Sequence, residues 1–448
     1  AGCMDSMVNK YTAARRLRSE DAYSPDGRHD MRPEYPTIVY TRILKELYPD
    51  VPVVLGGIEA SLRRLTHYDY WKEQYKPSIL VESGADMIIY GMGEMPTLDL
   101  CRSLQEAIHT SHPLLHYDEN GEPCITTACF RDAVQHSRQI PQTVSLYSEH
   151  EIPGHISEED IVLHSFEDSV RNARLHAENF RHIEEESNRI HAHRLLQKHG
   201  KAWAVVNPPY PPLTQEQLDH SFDLPYTRLP HPKYKGKRIP AYEMIKFSVN
   251  LHRGCFGGCA FCTISAHQGK FIVNRSEESI LREIKEIAKM EDFKGYLSDL
   301  GGPSANMYMM KGKNSNLCAK CSRPSCIQPK ICPNMNIDHS ALLELYKKVD
   351  ALPCIKKSFI GSGVRYDMLL HRTGDKQRDE VTDRYTEELI RNHVSGRLKV
   401  APEHTNDAVL KLMRKPSFKQ FHDFKRIFDR INSKHNLKQQ IIPYFISS

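Results

Sequence analysis

Three thiols fall within eight residues of the 448-residue chain: Cys255, Cys259 and Cys262, in the stretch LHRGCFGGCAFC that spans Leu251–Cys262. Spacings of three and then two intervening residues let thiolates reach three corners of a cubane iron–sulfur cluster, and a set of three leaves one iron open to a non-protein ligand. An open iron is one that can do chemistry. Gly254, Gly257 and Gly258 let the backbone wrap closely round such a centre, and Phe256 and Phe261 are expected to shield it from water. The competing arrangement is zinc with His252 as a fourth ligand. His252 closes an apolar strand, where zinc knuckles are rare, so iron–sulfur is favoured. A second set, Cys318, Cys321, Cys326 and Cys332, lies in a Lys-, Asn- and Pro-rich insertion. A structural zinc and an auxiliary iron–sulfur cluster both satisfy that count. The remaining cysteines, Cys3, Cys101, Cys124, Cys129 and Cys354, are isolated and are expected to be buried small side chains.

The elements around the first loop alternate. An apolar run at Ile245–Leu251 reads as a strand feeding the cysteines, and Ile280, Ile284 and Ile287 mark one face of a helix from Ser276 to about Met290. Strand Gly295–Leu300 then stops at Gly301-Gly302-Pro303. The order continues with helix Ser340–Val349, strand Ile355–Ile360 closing on Gly361-Ser362-Gly363, helix Thr382–His393, strand Arg397–Val400, helix Asn406–Met413, a helix through about Ile431, and strand Gln440–Ile446. Right-handed βα repeats of this kind build a barrel or half-barrel whose site lies at the strand C-termini. That is where the three cysteines sit.

Upstream, Val51–Leu55 ends in Gly56-Gly57 and Ala85–Tyr90 ends in Gly91-Met92-Gly93-Glu94, each before a helical pattern. Strands that stop at glycine and turn into helices predict an open parallel sheet. Neither glycine pair is a dinucleotide fingerprint, and a tight turn is the commoner meaning of each. Cys124–Cys129 and Gln142–Ser148 are predicted as an edge hairpin or connection, and one long helix is predicted from Ser157 to about His199, with His191 and His193 solvated. Asn207–Pro212 and the basic run Lys233–Arg238 read as an extended linker. The expected organisation is therefore an α/β domain at 1–155, a long helix and linker at 156–240, and a βα core at 241–448 with its cysteine-rich insertion at 304–337.

Forty per cent hydrophobic residues suits a globular chain, and the apolar runs are far below the roughly 20 residues that cross a bilayer. Without a secretion-type leader, a cytoplasmic location is expected, which argues against disulfides for the twelve cysteines. A net charge of +5, scattered among nearly as many acids, neither establishes nor excludes a nucleic-acid partner.

Cys255-x3-Cys259-x-Phe261-Cys262 resembles the signature of radical S-adenosylmethionine (SAM) enzymes, including the aromatic residue before the last cysteine. Leu251–Ser265, Asp299–Tyr308, Ser362–Asp367 and Lys399–Thr405 together resemble one branch, the YgiQ family, as do Gly56–Arg64 and His67–Trp71 upstream. The resemblance implies an N-terminal Rossmann- or cobalamin-binding-like open sheet followed by a radical SAM partial (βα) barrel. It implies a [4Fe-4S] cluster on Cys255, Cys259 and Cys262, SAM chelated at the fourth iron, and an electron donor such as flavodoxin or ferredoxin. Reductive cleavage of SAM to a 5′-deoxyadenosyl radical would act on a substrate that the sequence does not name. Phe261, Gly301 and Gly302 are the expected SAM-binding residues, the two glycines standing where the superfamily has Gly-Gly-Glu, and Glu403 aligns with a SAM-contacting position. An acid at a helix N-terminus is the equal alternative for Glu403. Cobalamin is disfavoured because no cobalt-ligating histidine loop is identifiable. Two other functions stay open. One is a tRNA-modifying methylthiotransferase, which Val409–Met413 resembles, although no RNA-binding β-barrel is visible. The other is a non-catalytic zinc module binding RNA or protein through Cys318–Cys332. Both ends are expected to be cuts in a longer protein.

Overall fold

The computed structural model describes residues 10–12, 14–109, 115–117, 123–125 and 133–446, the side chains of 107–109, 115–117 and 123–125 excepted. It divides into two compact units, one built mainly from residues 28–211 and the other mainly from residues 212–448.

The first unit is organised on six strands: β1 (Val54–Leu55), β2 (Met87–Ile89), β3 (Thr143–Ser148), β4 (Ile161–Val162), β5 (Leu195–His199) and β6 (Ala202–Val206). Their spatial order is β1-β2-β3-β6-β5-β4. Only the β1–β2 and β4–β5 pairs are parallel; β2–β3, β3–β6 and β6–β5 are antiparallel. The expected open parallel sheet is therefore a mixed one. Its strand β5 comes from residues predicted as helix, and β6 from residues just beyond them. Asn172 interrupts that helix: its backbone is extended, and its side chain accepts from the Arg174 N–H, so helix Phe166–Arg171 ends and Ala173–Ser187 begins anew. After Ser187 the chain returns as the β5–β6 hairpin, turned by Gly200 at φ +60° and Lys201. Residues 156–211 thus complete the sheet rather than leave it as a connection. His191 and His193 are exposed, as expected. Ile79, Leu80, Ile88, Val144 and Ala204 form the dry centre of this unit. Cys101 is exposed, not buried; Cys3, Cys129 and the side chain of Cys124 lie outside the described residues.

In the second unit β7 (Ser248–Asn250) pairs with β9 (Asp299–Gly301), β8 (Tyr296–Leu297) with β10 (Lys357–Ser358), and β11 (Arg397–Glu403) with β12 (Gln440–Phe445), every pair parallel. Helix Glu277–Ile287 separates β7 from β8, Ser340–Asp350 separates β9 from β10, Lys376–Asn392 separates β10 from β11, and Asp407–Leu412 with Phe418–Lys434 separate β11 from β12. The βα alternation is as predicted. Val249 and Leu300 of the strands, with Leu251 just past β7, meet Ile280, Ile284, Leu342, Leu345, Leu389 and Phe424 of the helices in one core.

His339 lies in that core, fully buried and stacked on Tyr385 at 4.7 Å between ring centroids. Burial pushes its pKa down to about 4, against the pull of Asp338. A depressed histidine stabilises the fold fully above its unfolded pKa of about 6.5, and that contribution is lost as pH falls toward 4. Urea unfolding should therefore show the wild type losing about 2 kcal/mol more than a His339→Gln variant between pH 7 and pH 4.5. Equal losses in the two proteins would contradict a neutral buried imidazole.

Candidate metal centre

The loop after β7 is folded so tightly that side chains are excluded at two positions. Gly254 has φ +85°, and a Cβ there would come within 2.2 Å of the Phe271 carbonyl oxygen; Gly258 has φ +59°, and its Cβ would meet the Pro324 carbonyl oxygen at 2.1 Å. Between them the Cys255 N–H donates to the Gly269 carbonyl at 3.1 Å, and the Cys262 N–H to the Cys259 carbonyl at 3.0 Å. All three thiols are free and partly buried. Burial pushes the Cys255 thiol up to about 11, opposed by the Gly257 N–H and the Arg365 charge. Burial also raises Cys262, opposed by the Ile264 and Ser265 N–H groups at the start of helix Thr263–Gln268. Buried thiols that resist ionisation yet face N–H donors and a guanidinium suit a cationic metal cluster, which takes the thiolate form and stabilises it.

Zinc fits less well. The His252 Nε2 lies 3.0 Å from the Ser304 carbonyl, and a Cβ on Gly302 would strike that imidazole at 2.7 Å, so the ring is engaged away from the thiols. A tetrahedral zinc with bonds of about 2.3 Å draws its thiolates to about 3.8 Å of one another. Among the described residues, neither cysteine set brings three sulfurs within 4.8 Å. Phe256 is buried among Met307, Met310, Ile327, Met335 and Met368, but Phe261 is 42% exposed and does not act as the expected shield within this chain.

The supporting charges were not assigned from the sequence. Arg365, just past β10, donates from Nη1 to the Cys259 Sγ at 3.3 Å, and binds Asp367 through two bonds of 2.9 and 2.5 Å. Asn306 holds the Arg365 backbone on both sides, accepting from its N–H at 2.8 Å and donating to its carbonyl at 3.0 Å. Burial alone would weaken the guanidinium, but the Asp367 charge outweighs it and keeps Arg365 firmly protonated. Asp367 is likewise kept ionised by Arg365 against burial. The signal was present in Arg365-x-Asp367 after the glycine turn, although sequence alone gives no hint that the pair turns toward sulfur.

Glu403 is buried at the end of β11 with φ +72°, in a left-handed conformation that a non-glycine residue adopts at a cost. The Ile446 N–H donates to its carbonyl at 2.8 Å, and its carboxylate lies 3.5 Å from the Lys415 Nζ. Burial, then the Arg365 charge, lowers the Lys415 pKa. Gly301 sits in β9, its carbonyl accepting from the Leu251 N–H at 2.7 Å. A Cβ on it would meet the Asp299 Oδ1 and the Ser362 Oγ, each at 2.9 Å. Asp299 in turn accepts from the Gly361 and Ser362 N–H groups and from the Ser362 hydroxyl. The cysteine loop, Gly301-Gly302, Arg365 and Glu403 therefore all lie at strand C-terminal ends, where βα architectures place chemistry.

Part of the insertion rests on the cysteine loop. The Cys326 N–H donates to the Phe256 carbonyl at 3.0 Å, the Ser325 hydroxyl to the Gly257 carbonyl at 2.7 Å, and the Lys270 Nζ to the Arg323 carbonyl at 2.9 Å. Cys318, Cys321, Cys326, Cys332 and the outlying Cys354 are partly exposed and form no disulfide. Asn334 donates to the Cys318 Sγ at 3.3 Å.

A family model described as Radical SAM N-terminal matches residues 1–248. A UPF0313 protein of Bacteroides thetaiotaomicron is 64% identical over 448 residues, covering all of this chain and 70% of its own length. The UPF0313 protein YgiQ of Escherichia coli is 41% identical over 478 residues, covering all of this chain and 63% of its own. The chain belongs to the YgiQ family of radical SAM enzymes. For this YgiQ family member, a solved structure of the radical SAM methyltransferase TsrM from Kitasatospora setae, with cobalamin and a [4Fe-4S] cluster bound, is a distant neighbour. It is 12% identical, covers 91% of this chain and 53% of its own, and has a TM-score of 0.41, too slight a likeness to bear on cofactors here. Among the described residues no helix is long and apolar enough to cross a membrane.

Proposed function

We propose that Cys255, Cys259 and Cys262 hold a [4Fe-4S] cluster whose open iron binds SAM, and that β7–β12 form part of an open (βα) barrel around it. The observation that carries this reading is the Arg365 guanidinium, pinned by Asp367 and Asn306 at 3.3 Å from the Cys259 Sγ. When bound, the cluster and SAM supply radical chemistry from reductively cleaved SAM. The protein's own groups prepare the place for it. Arg365 offsets thiolate charge, Asp367 keeps Arg365 charged and oriented, and Phe256 keeps water from one side of the loop. Gly301, Gly302, Phe261 and Glu403 are the candidate SAM contacts. Gly302 and the exposed Phe261 ring are better placed for this than Gly301, whose carbonyl already serves the sheet.

None of the nine described cysteines lies in a disulfide, which suits a reducing cytoplasm with a flavodoxin- or ferredoxin-type donor. Cobalamin has no part in this reading, since the first unit's sheet is mixed. An auxiliary iron–sulfur cluster at Cys318, Cys321, Cys326 and Cys332, which needs wider sulfur spacing than zinc, remains part of it. A cavity of about 1130 Å³ beside the insertion is lined by six Lys or Arg, among them Arg323, Lys411 and Arg414, against three Asp. That excess of positive charge favours, as a second reading, an anionic substrate such as tRNA. Salt-sensitive tRNA binding that weakens in Lys411→Ala would support it; no binding at low salt would remove it.

The test of the first reading is 5′-deoxyadenosine release from SAM by anaerobically reconstituted, dithionite-reduced protein. Release is expected from the wild type, and none from Cys255→Ala, Cys259→Ala or Cys262→Ala. Undiminished release in any of the three would contradict it.

A further inference from the structure

We propose that Asp350, Glu388 and His393 form a site for a divalent cation of the zinc type, separate from both cysteine sets. Among the described residues, these three side chains present ligand atoms that all lie within 4.8 Å of one another. Asp350 ends helix Ser340–Asp350, Glu388 lies in the last turn of helix Lys376–Asn392, and His393 follows it directly. These helix ends feed β10 and β11, so the cluster sits at the N-terminal side of the strands, away from the cysteine loop at their C-terminal ends.

Two carboxylates would not by themselves make a site; the histidine does. Its side chain is fully buried, and its Nδ1 lies 2.8 Å from the Ser358 carbonyl oxygen, an acceptor, so Nδ1 carries the proton. In the neutral ring the Nε2 lone pair then points outward, and Nε2 has no hydrogen-bond partner. It faces the Glu388 Oε1 at 3.5 Å and the Asp350 Oδ2 at 3.9 Å. A lone pair held against two carboxylates is repulsive unless a cation stands between them. Both gaps exceed the roughly 2.7–2.9 Å of a direct charge-assisted bond and leave room for an ion among the three atoms. Zinc bonds of about 2.0–2.2 Å to nitrogen and oxygen set ligand atoms about 3.4 Å apart, close to the spacing seen.

Each ligand is also oriented by a second group. The Ser358 hydroxyl donates to the Asp350 Oδ1 at 2.7 Å, the Ser358 carbonyl fixes the His393 tautomer, and the Asn392 amide donates to the Glu388 Oε1 at 2.7 Å. Such outer partners are what hold metal ligands in place. Asp350 and Glu388 are 36% and 30% exposed, leaving an open side for entry and for a water as fourth ligand. A cation here would fasten the ends of the two helices that precede β10 and β11, independently of any cluster.

The full-length chain, purified anaerobically and dialysed against zinc alone, provides the test. Because the cysteines also take zinc, the readout is a difference: Glu388→Gln and Asp350→Asn are expected to retain one zinc per chain fewer than the wild type and to lose part of its zinc-induced rise in Tm. Crystals of the unaltered chain soaked in zinc are expected to show an anomalous peak among Asp350, Glu388 and His393, whatever the fate of the variants. Equal zinc content and equal Tm response in all three proteins, or no such peak, would overturn the site.

Discussion

Replacing Arg365 by Met is expected to destabilise the second unit by about 3–5 kcal/mol, because Asp367 would be left as an uncompensated buried carboxylate. The guanidinium meets Asp367 through two short bonds, and both side chains are shut away from water, so solvent cannot take over for the missing partner. The double variant Arg365→Met, Asp367→Leu removes both charges and should recover most of that loss in urea unfolding, as buried pairs replaced by apolar groups commonly do. Stability and function should then part company. The double variant is expected to fold while loading iron poorly, because nothing offsets thiolate charge beside Cys259. Iron content equal to the wild type would show that the pair is only a structural brace.

Gly258→Ala is expected to have the second large effect, about 3 kcal/mol, from two additive causes. An alanine at φ +59° pays roughly 1–2 kcal/mol for the left-handed backbone, and its methyl group meets the Pro324 carbonyl oxygen at 2.1 Å, a contact that neither backbone can relieve without moving. The insertion should therefore lift from the cysteine loop, loosening the backbone at the exposed Arg323 and Lys330 so that trypsin cuts there faster, and lowering iron retention. Gly363→Ala is the matched control: its Cβ meets nothing within 4 Å, and it should behave as the wild type. Equal trypsin sensitivity in the two alanine variants would refute the close packing of insertion on loop.

The parts of this molecule legible in its sequence are those set by local chemistry. Cysteine spacing, glycines at strand ends and the 3.6-residue period of Ile280, Ile284 and Ile287 each encode their outcome within a few residues, and the second unit follows them. Where the outcome depended on distant partners, sequence misled. Residues 195–199 carry enough apolar side chains to pass for the end of a helix, and only pairing with β4 and β6 makes them a strand. Asn172 falls inside the predicted helix, but its side chain caps the next helix instead. The site shows the same division. The three thiols are adjacent in sequence, whereas Arg365 reaches Cys259 across 106 positions, and the left-handed backbone of Glu403 is held by a bond from Ile446. No periodicity records contacts of that kind.

The most direct measurement is the EPR spectrum of the reduced, reconstituted chain with and without SAM. A cluster with one iron free of protein ligands binds SAM at that iron, so the expected result is a signal that shifts when SAM is added and that disappears in Cys255→Ala. A signal indifferent to SAM, or one that survives Cys255→Ala unchanged, would contradict a SAM-binding cluster on Cys255, Cys259 and Cys262.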